Sequence, residues 1–265
     1  MDRARLLVVG GGRMGEALLA GLISADWAPV EELAVAETLA SRREELAAAY
    51  PGLVVVDEPG ACDGAVVAVK PGDVAGACAA LATAGCGRVL SIAAGVTIGA
   101  LEAAVGAGVP VVRAMPNTPA LVGAGAAAIA GGSSASAADL DWAEGLLRAV
   151  GTVVRVPEHL LDAVTGLSGS GPAYVFLVAE ALIEGGVLAG LPRDVSVELA
   201  THTLLGAAKL LAESGSTPEE LRAQVTSPGG TTAAGLRALE ARGVRSALLE
   251  AVAAATDRSR ELGRN

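Results

Sequence analysis

Aromatic side chains are nearly missing from this chain: one Phe, two Trp and two Tyr amount to 2% of 265 residues. That scarcity excludes a protein that stacks single-stranded nucleic acid on aromatic platforms. Lysine is almost as rare, with Lys70 and Lys209 alone, and the net charge is -10. No basic stripe exists to neutralise phosphates, so no nucleic-acid partner is expected. The two histidines, His159 and His202, stand far apart, and the three cysteines, Cys62, Cys78 and Cys86, match no zinc spacing. A metal site is therefore not expected. The odd cysteine count fits reduced thiols in a cytoplasmic protein. No Ser-His-Asp or Cys-His arrangement and no clear carboxylate pair is present. The first residues enter a strand-like run at once, so no secretory leader is expected.

What the chain does have is apolar residues, 52% of the total, and 35 glycines gathered in particular loops. Its first half alternates short β-branched runs with helical stretches. Strands are predicted at 5–10, 33–36, 53–56, 65–69, 88–92 and 109–114, with weaker ones at 124–130 and 152–156. Helices are predicted at 14–25, 41–50, 73–83, 98–106 and 137–150. Continuous apolar strands separated by helices predict an α/β fold, a doubly wound parallel sheet covered on both faces. From about Pro157 the strand signals stop. Helices are predicted at 173–189, 193–213, 218–225, 232–242 and 244–262, with Thr217 as an N-cap ahead of Pro218. The expected organisation is a dinucleotide-binding domain over 1–157 and an all-α domain over 158–265.

The apolar run Ala173–Leu191 has the length of a membrane span but carries Glu180 and Glu184, so it reads as a buried helix of a soluble protein, with no membrane partner. His202 reads as a packed histidine. The helical half is apolar on several faces and calls for a second subunit.

Residues Gly10–Gly15 (GGGRMG) fit the pattern G-x-G-x-x-G, closing a strand and opening a helix at the start of a βαβ unit. Gly10 would permit the tight turn, Gly12 the approach of a pyrophosphate and Gly15 close helix packing, with Arg13 and Met14 between them at the helix start. Glu37 ends the second strand, where an acid bonds both ribose hydroxyls and favours NADH. Arg42 and Arg43 follow closely and could instead bind the 2′-phosphate of NADPH, so both cofactors stay open. Lys70, with Val69 before it and Pro71 after it, stands at the carboxyl end of a buried strand, where ligands bind in open α/β sheets. Ala93, Ala94 and Gly95 end the next strand with small residues that would admit a flat nicotinamide ring. Asn117 lies in a loop stiffened by Pro116 and Pro119. Asp162–Tyr174 is expected to present amides and hydroxyls ahead of a long helix, with Pro172 in its first turn. Thr226–Thr232 repeats the arrangement, and the helix start after Ser227, Pro228, Gly229 and Gly230 suits a substrate carboxylate. Hydride transfer to an already protonated imine suits a chain so poor in acid–base groups.

Gly10–Gly15, Ala68–Pro71 (AVKP), Ser91–Val96 (SIAAGV), Arg113–Leu121 (RAMPNTPAL), Asp162–Tyr174 and above all Val225–Thr232 (VTSPGGTT) resemble the pyrroline-5-carboxylate reductase family, nearly end to end. The resemblance implies reduction of 1-pyrroline-5-carboxylate to L-proline by NADPH or NADH. It also implies a Rossmann domain followed by helices that interlock two subunits into a homodimer, which in some members assembles into decamers. Val69, Lys70 and Ala94 would line the cofactor site. Glu158, Thr231 and Thr232 would lie at the substrate site, with the Ser227–Gly230 backbone near the carboxylate and Thr232 bonded to the ring nitrogen. A 3-hydroxyacid dehydrogenase shares the plan, but Ala173–Ala189 lacks the lysine such enzymes carry on their first long helix.

Overall fold

The computed structural model describes residues 3–263. Eight strands form one sheet: β1 (Leu6–Val9), β2 (Leu33–Ala36), β3 (Val54–Val56), β4 (Ala65–Val67), β5 (Val89–Ser91), β6 (Val111–Met115), β7 (Gly125–Gly131) and β8 (Gly151–Arg155). Their order is β3-β2-β1-β4-β5-β6-β7-β8. Helices α1 (Arg13–Ser24), α2 (Ala40–Ala49), α3 (Val74–Thr83), α4 (Ile98–Val105) and α5 (Ala137–Arg148) connect them. Side chains alternate across each strand. Leu6 and Val8 therefore join one apolar layer with Leu19, Leu22 and Leu146, while Leu7 and Val9 join another with Leu81, Leu101 and Val105. Both faces of β1 are thus buried, as its unbroken apolar run requires.

One pairing departs from the all-parallel expectation. β6 and β7 are antiparallel, whereas β7 and β8 run parallel. The link between β6 and β7 is a short 3-10 turn, Thr118–Val122, with Gly123 left-handed at φ 71°. A parallel return needs a crossover, usually a helix, which α5 supplies for β8 and nothing supplies for β7. Helix starts carry their own caps: Thr97 Oγ1 accepts from the Ala100 amide, and Ser136 and Asp139 form a reciprocal capping box on α5.

The described residues group into two compact units. One unit runs to Ser170 and resumes from Ala254; the other is Gly171–Ala253. Two local features explain the first unit's extent. After α6 (Leu161–Val164) the chain makes a π turn, Thr165–Gly169, and Leu161 is fully buried. Within this segment Thr165 Oγ1 donates to Leu161 O and Ser168 Oγ to Val164 O. Near the chain's end, Ser259 Oγ donates to Asp162 Oδ1 at 2.7 Å, and Leu262 lies against Gly95.

The second unit contains α7 (Gly171–Leu188), α8 (Arg193–Glu213), α9 (Pro218–Gln224), α10 (Thr231–Ala241) and the start of α11 (Val244–Leu262). Ser196 Oγ donates to Ile183 O at 2.7 Å. A Cβ on Gly186 would meet that hydroxyl, so the glycine lets α8 approach α7. Thr217 and Glu220 cap α9 reciprocally, as Thr217 ahead of Pro218 predicts. The burial expected of 173–191 is absent within one chain: Phe176 is 62% exposed and Leu188 91%. His202 is likewise exposed, not packed. The helical stretch Glu158–Leu188 is long and apolar enough to cross a membrane, by length and composition alone. An apolar surface of this extent needs a covering partner.

Candidate functional site

Strand order reverses between β1 and β4, and the glycine loop stands at that switch point, where open α/β sheets bind ligands. Gly10 has φ 101°, a left-handed value that a Cβ would strain, and its Cβ would also press on the Ala68 carbonyl. Gly15 lets α1 close onto the loop, since a Cβ there would collide with the Gly10 carbonyl oxygen. A Cβ on Gly12 would meet nothing within 4 Å, and α1 has no side-chain cap. No side-chain cap occupies the start of α1, an arrangement that fits a dinucleotide pyrophosphate. Arg13 is exposed at the first position of α1 and Met14 packs partly against the core.

A cleft of about 690 Å³ opens beside this loop. It brings together Gly10, Gly12, Glu37, Val69 and Lys70 from the predicted set. It also includes residues that sequence reasoning missed: Thr38, Asp57, Glu58 and Pro59 at the ends of β2 and β3, and Asp73, Gly76, Ala77 and Ala80 at α3. The carboxyl-end rule that singles out Glu37 applies equally to β3, so it could have found Asp57 and Glu58.

Glu37 is held from two sides. Its Oε2 accepts from the Gly11 amide at 2.9 Å and its Oε1 from the Leu39 amide at 2.9 Å. The two arginines weighed as phosphate ligands line no part of the cleft. Arg42 donates Nε to Gly11 O at 2.8 Å and pairs with Glu45 and Glu16. Hydrogen bonds to Glu45 and then Glu16 raise the pKa of its guanidinium above the ordinary arginine value. Arg43 Nη1 donates to the carbonyls of Glu37 and Thr38, each at 2.8 Å. Arg42 thus braces the glycine loop and Arg43 the end of β2.

The remaining wall is mixed. Pro71 is exposed and opens a 3-10 turn. Ala93 is buried in the core, Ala94 is exposed, and Gly95 is left-handed at φ 76°. Asn117 is a buried clamp: its Nδ2 donates to Ser168 O at 3.0 Å and its Oδ1 accepts from the Ala126 amide at 2.8 Å. Glu158 Oε1 accepts from the Ile98 amide at 2.7 Å and from Arg113 at 2.9 Å, tying the start of α4 to β6. All three thiols are buried, and burial pushes Cys78 up to about 11.

In the helical unit, Ser227, Pro228 and Gly229 form an exposed turn, with Gly229 at φ 72° and the Gly230 amide donating to Ser227 O at 3.0 Å. A Cβ on Gly230 would overlap the Ser227 hydroxyl. α10 follows with no side-chain cap, with Thr231 exposed and Thr232 half-buried in its first turn. The helix thus offers uncapped amides and two hydroxyls to an anion.

Two family models match the chain. Residues 158–262 match pyrroline-5-carboxylate reductase dimerisation, and residues 5–95 match NADP oxidoreductase coenzyme F420-dependent. The chain is 47% identical to a pyrroline-5-carboxylate reductase of Synechocystis sp. over 268 residues, 98% of each protein. Among solved structures, a pyrroline-5-carboxylate reductase from Coxiella burnetii superposes with a TM-score of 0.92 at 32% identity, covering 100% of both chains. A Plasmodium falciparum pyrroline carboxylate reductase with NADP bound gives 0.84 at 30% identity, covering 99% of each. With a glycine-loop cleft, an uncapped α10 and full-length likeness of this kind, the chain belongs to the pyrroline-5-carboxylate reductase family.

Proposed function

We infer that this chain reduces the C=N bond of 1-pyrroline-5-carboxylate with NAD(P)H and releases L-proline, the last step of proline biosynthesis. The observation that carries this reading is the glycine-loop cleft at the β1–β4 switch point, in a chain that matches reductases of this family along its whole length. Gly12 and the uncapped start of α1 hold the pyrophosphate, Glu37 meets the adenosine ribose, and Val69, Lys70 and Ala94 border the nicotinamide end. Bound there, the dihydronicotinamide supplies the hydride.

The protein's own residues then orient and shield. The uncapped amides of α10, with the Ser227–Gly230 backbone, hold the substrate carboxylate. Thr231 and Thr232 border the ring, and the Thr232 hydroxyl bonds the ring nitrogen. The protonated imine is already an electrophile, so its carbon gains the hydride while the nitrogen keeps its proton and becomes the amine. Orientation of this kind contributes several kcal/mol to rate. Glu158 acts as a positioning residue, because its Oε1 is committed to Arg113 and the Ile98 amide.

We place the exposed apolar faces of α7 and α8 in a homodimer interface of a soluble cytoplasmic enzyme; the dimerisation model matched at 158–262 supports this. Sedimentation mass distinguishes a dimer from a decamer, and partition into detergent-free supernatant tests solubility. The functional test is oxidation of NADH or NADPH by the purified protein with 1-pyrroline-5-carboxylate, with proline identified as product. No turnover with either cofactor would sink the assignment. For Thr232→Ala, kcat/KM is expected to fall roughly tenfold, the loss of one substrate hydrogen bond. An unchanged value removes Thr232 from the mechanism.

A further inference from the structure

We propose that the cleft selects NADH over NADPH, through a fixed carboxylate wall formed by Glu37 with Asp57 and Glu58. The inference rests on the cofactor reading above and goes beyond it by naming which dinucleotide is bound.

The end of β2 is where the adenosine ribose lies in this fold. Glu37 cannot swing away from that position without abandoning two amides, Gly11 N and Leu39 N, each at 2.9 Å. A 2′-phosphate would therefore face a held negative charge. β3 is the neighbour of β2, and its end adds Asp57 and Glu58 to the same cleft. Both are exposed, and neither forms an ion pair among the described residues. The two arginines that follow Glu37 along the chain are committed elsewhere. Arg42 is bound to Gly11 O, Glu16 and Glu45, and Arg43 to the carbonyls of Glu37 and Thr38. Lys70 stands at the end of β4, across β1 from β2, on the opposite side of the switch point.

A phosphomonoester carries close to two negative charges at neutral pH. Beside an unneutralised carboxylate in a partly screened cleft, the repulsion weakens NADPH relative to NADH by roughly ten- to a hundredfold. The ribose hydroxyls of NADH instead donate to the same carboxylate.

The test is equilibrium binding, read by nicotinamide fluorescence during titration of the full-length protein with NADH and, separately, NADPH. Tighter NADH binding is expected, by roughly tenfold or more at low salt, with the ratio shrinking as ionic strength rises because the penalty is electrostatic. Glu37→Gln keeps an acceptor for one amide and should narrow the ratio severalfold. Asp57→Asn combined with Glu58→Gln should narrow it independently, without touching the glycine loop. NADPH binding as tight as NADH in the wild type would overturn the proposal and leave the reductase reading standing. So would a ratio unmoved by both sets of substitutions. Failure to bind either nucleotide would overturn the proposal and the cofactor reading together.

Discussion

Glu158→Ala is expected to destabilise the sheet unit by about 3 kcal/mol, and the structure supplies the terms. The Arg113 side chain is 9% exposed and Glu158 34%. Truncating one partner of a buried pair costs about 3–5 kcal/mol, because the other charge is left without compensation. Glu158 is about one-third exposed, so water replaces part of what Arg113 loses and the pair contributes about 2 kcal/mol. The Ile98 amide at the start of α4 loses its acceptor as well, for about 1 kcal/mol more. In a chain of this size each kcal/mol lowers Tm by about 2–4 °C, so a fall on the order of 10 °C is expected. Far-UV circular dichroism melts of wild type, Glu158→Ala and Glu158→Gln measure it. The glutamine variant keeps an acceptor for both donors and should lose about half as much. A Tm within about 2 °C of wild type for Glu158→Ala would refute the claim that Arg113 depends on this carboxylate.

Other consequences are equally specific. Gly15→Ala places a Cβ against the Gly10 carbonyl oxygen, so α1 must shift; a stability loss of about 1–3 kcal/mol and weaker dinucleotide binding follow. Wild-type nucleotide affinity in that variant would show that close packing there is dispensable. Burial opposes ionisation of Asp139, but the Ser136 hydroxyl and amide and Arg88 outweigh it and hold its pKa below the usual 3.8. A depressed carboxylate contributes stability that is present above its unfolded pKa and lost as pH falls through the folded value. Asp139→Asn should therefore flatten the acid limb of a stability–pH profile below about pH 4, and an unaltered limb would contradict the sign.

Local motifs were legible because their chemistry is local. The glycine loop needs a turn, an opening and a close helix within six consecutive residues, and each requirement is met by the residue standing there. The TSPGG turn and the start of α10, and the Thr217 cap, are likewise set by neighbours along the chain. Strand and helix positions followed from periodicity, since β-branched runs and apolar stripes commit a segment before it meets the rest. Asp57 and Glu58 received no role from the sequence because their place in the cleft comes from β3 lying beside β2, a nonlocal pairing.

Arg42 shows the same boundary in reverse. By sequence it is a cation a few residues beyond Glu37 and a candidate phosphate ligand. In the fold it turns to Gly11 O and Glu16, from the glycine loop and α1, and to Glu45 one turn along its own helix. Asn117 and Glu158, too, have their hydrogen bonds taken by Ser168, Ala126, Arg113 and Ile98, which no spacing rule connects. The sequence alone thus determined the element types, the glycine loop and the TSPGG turn ahead of α10, because backbone conformation and capping act over a few residues. Tertiary structure decided the antiparallel turn of β7, the division of the chain into units and which charged groups remain free to meet a ligand. Those outcomes depend on which distant carbonyls and carboxylates reach each side chain first.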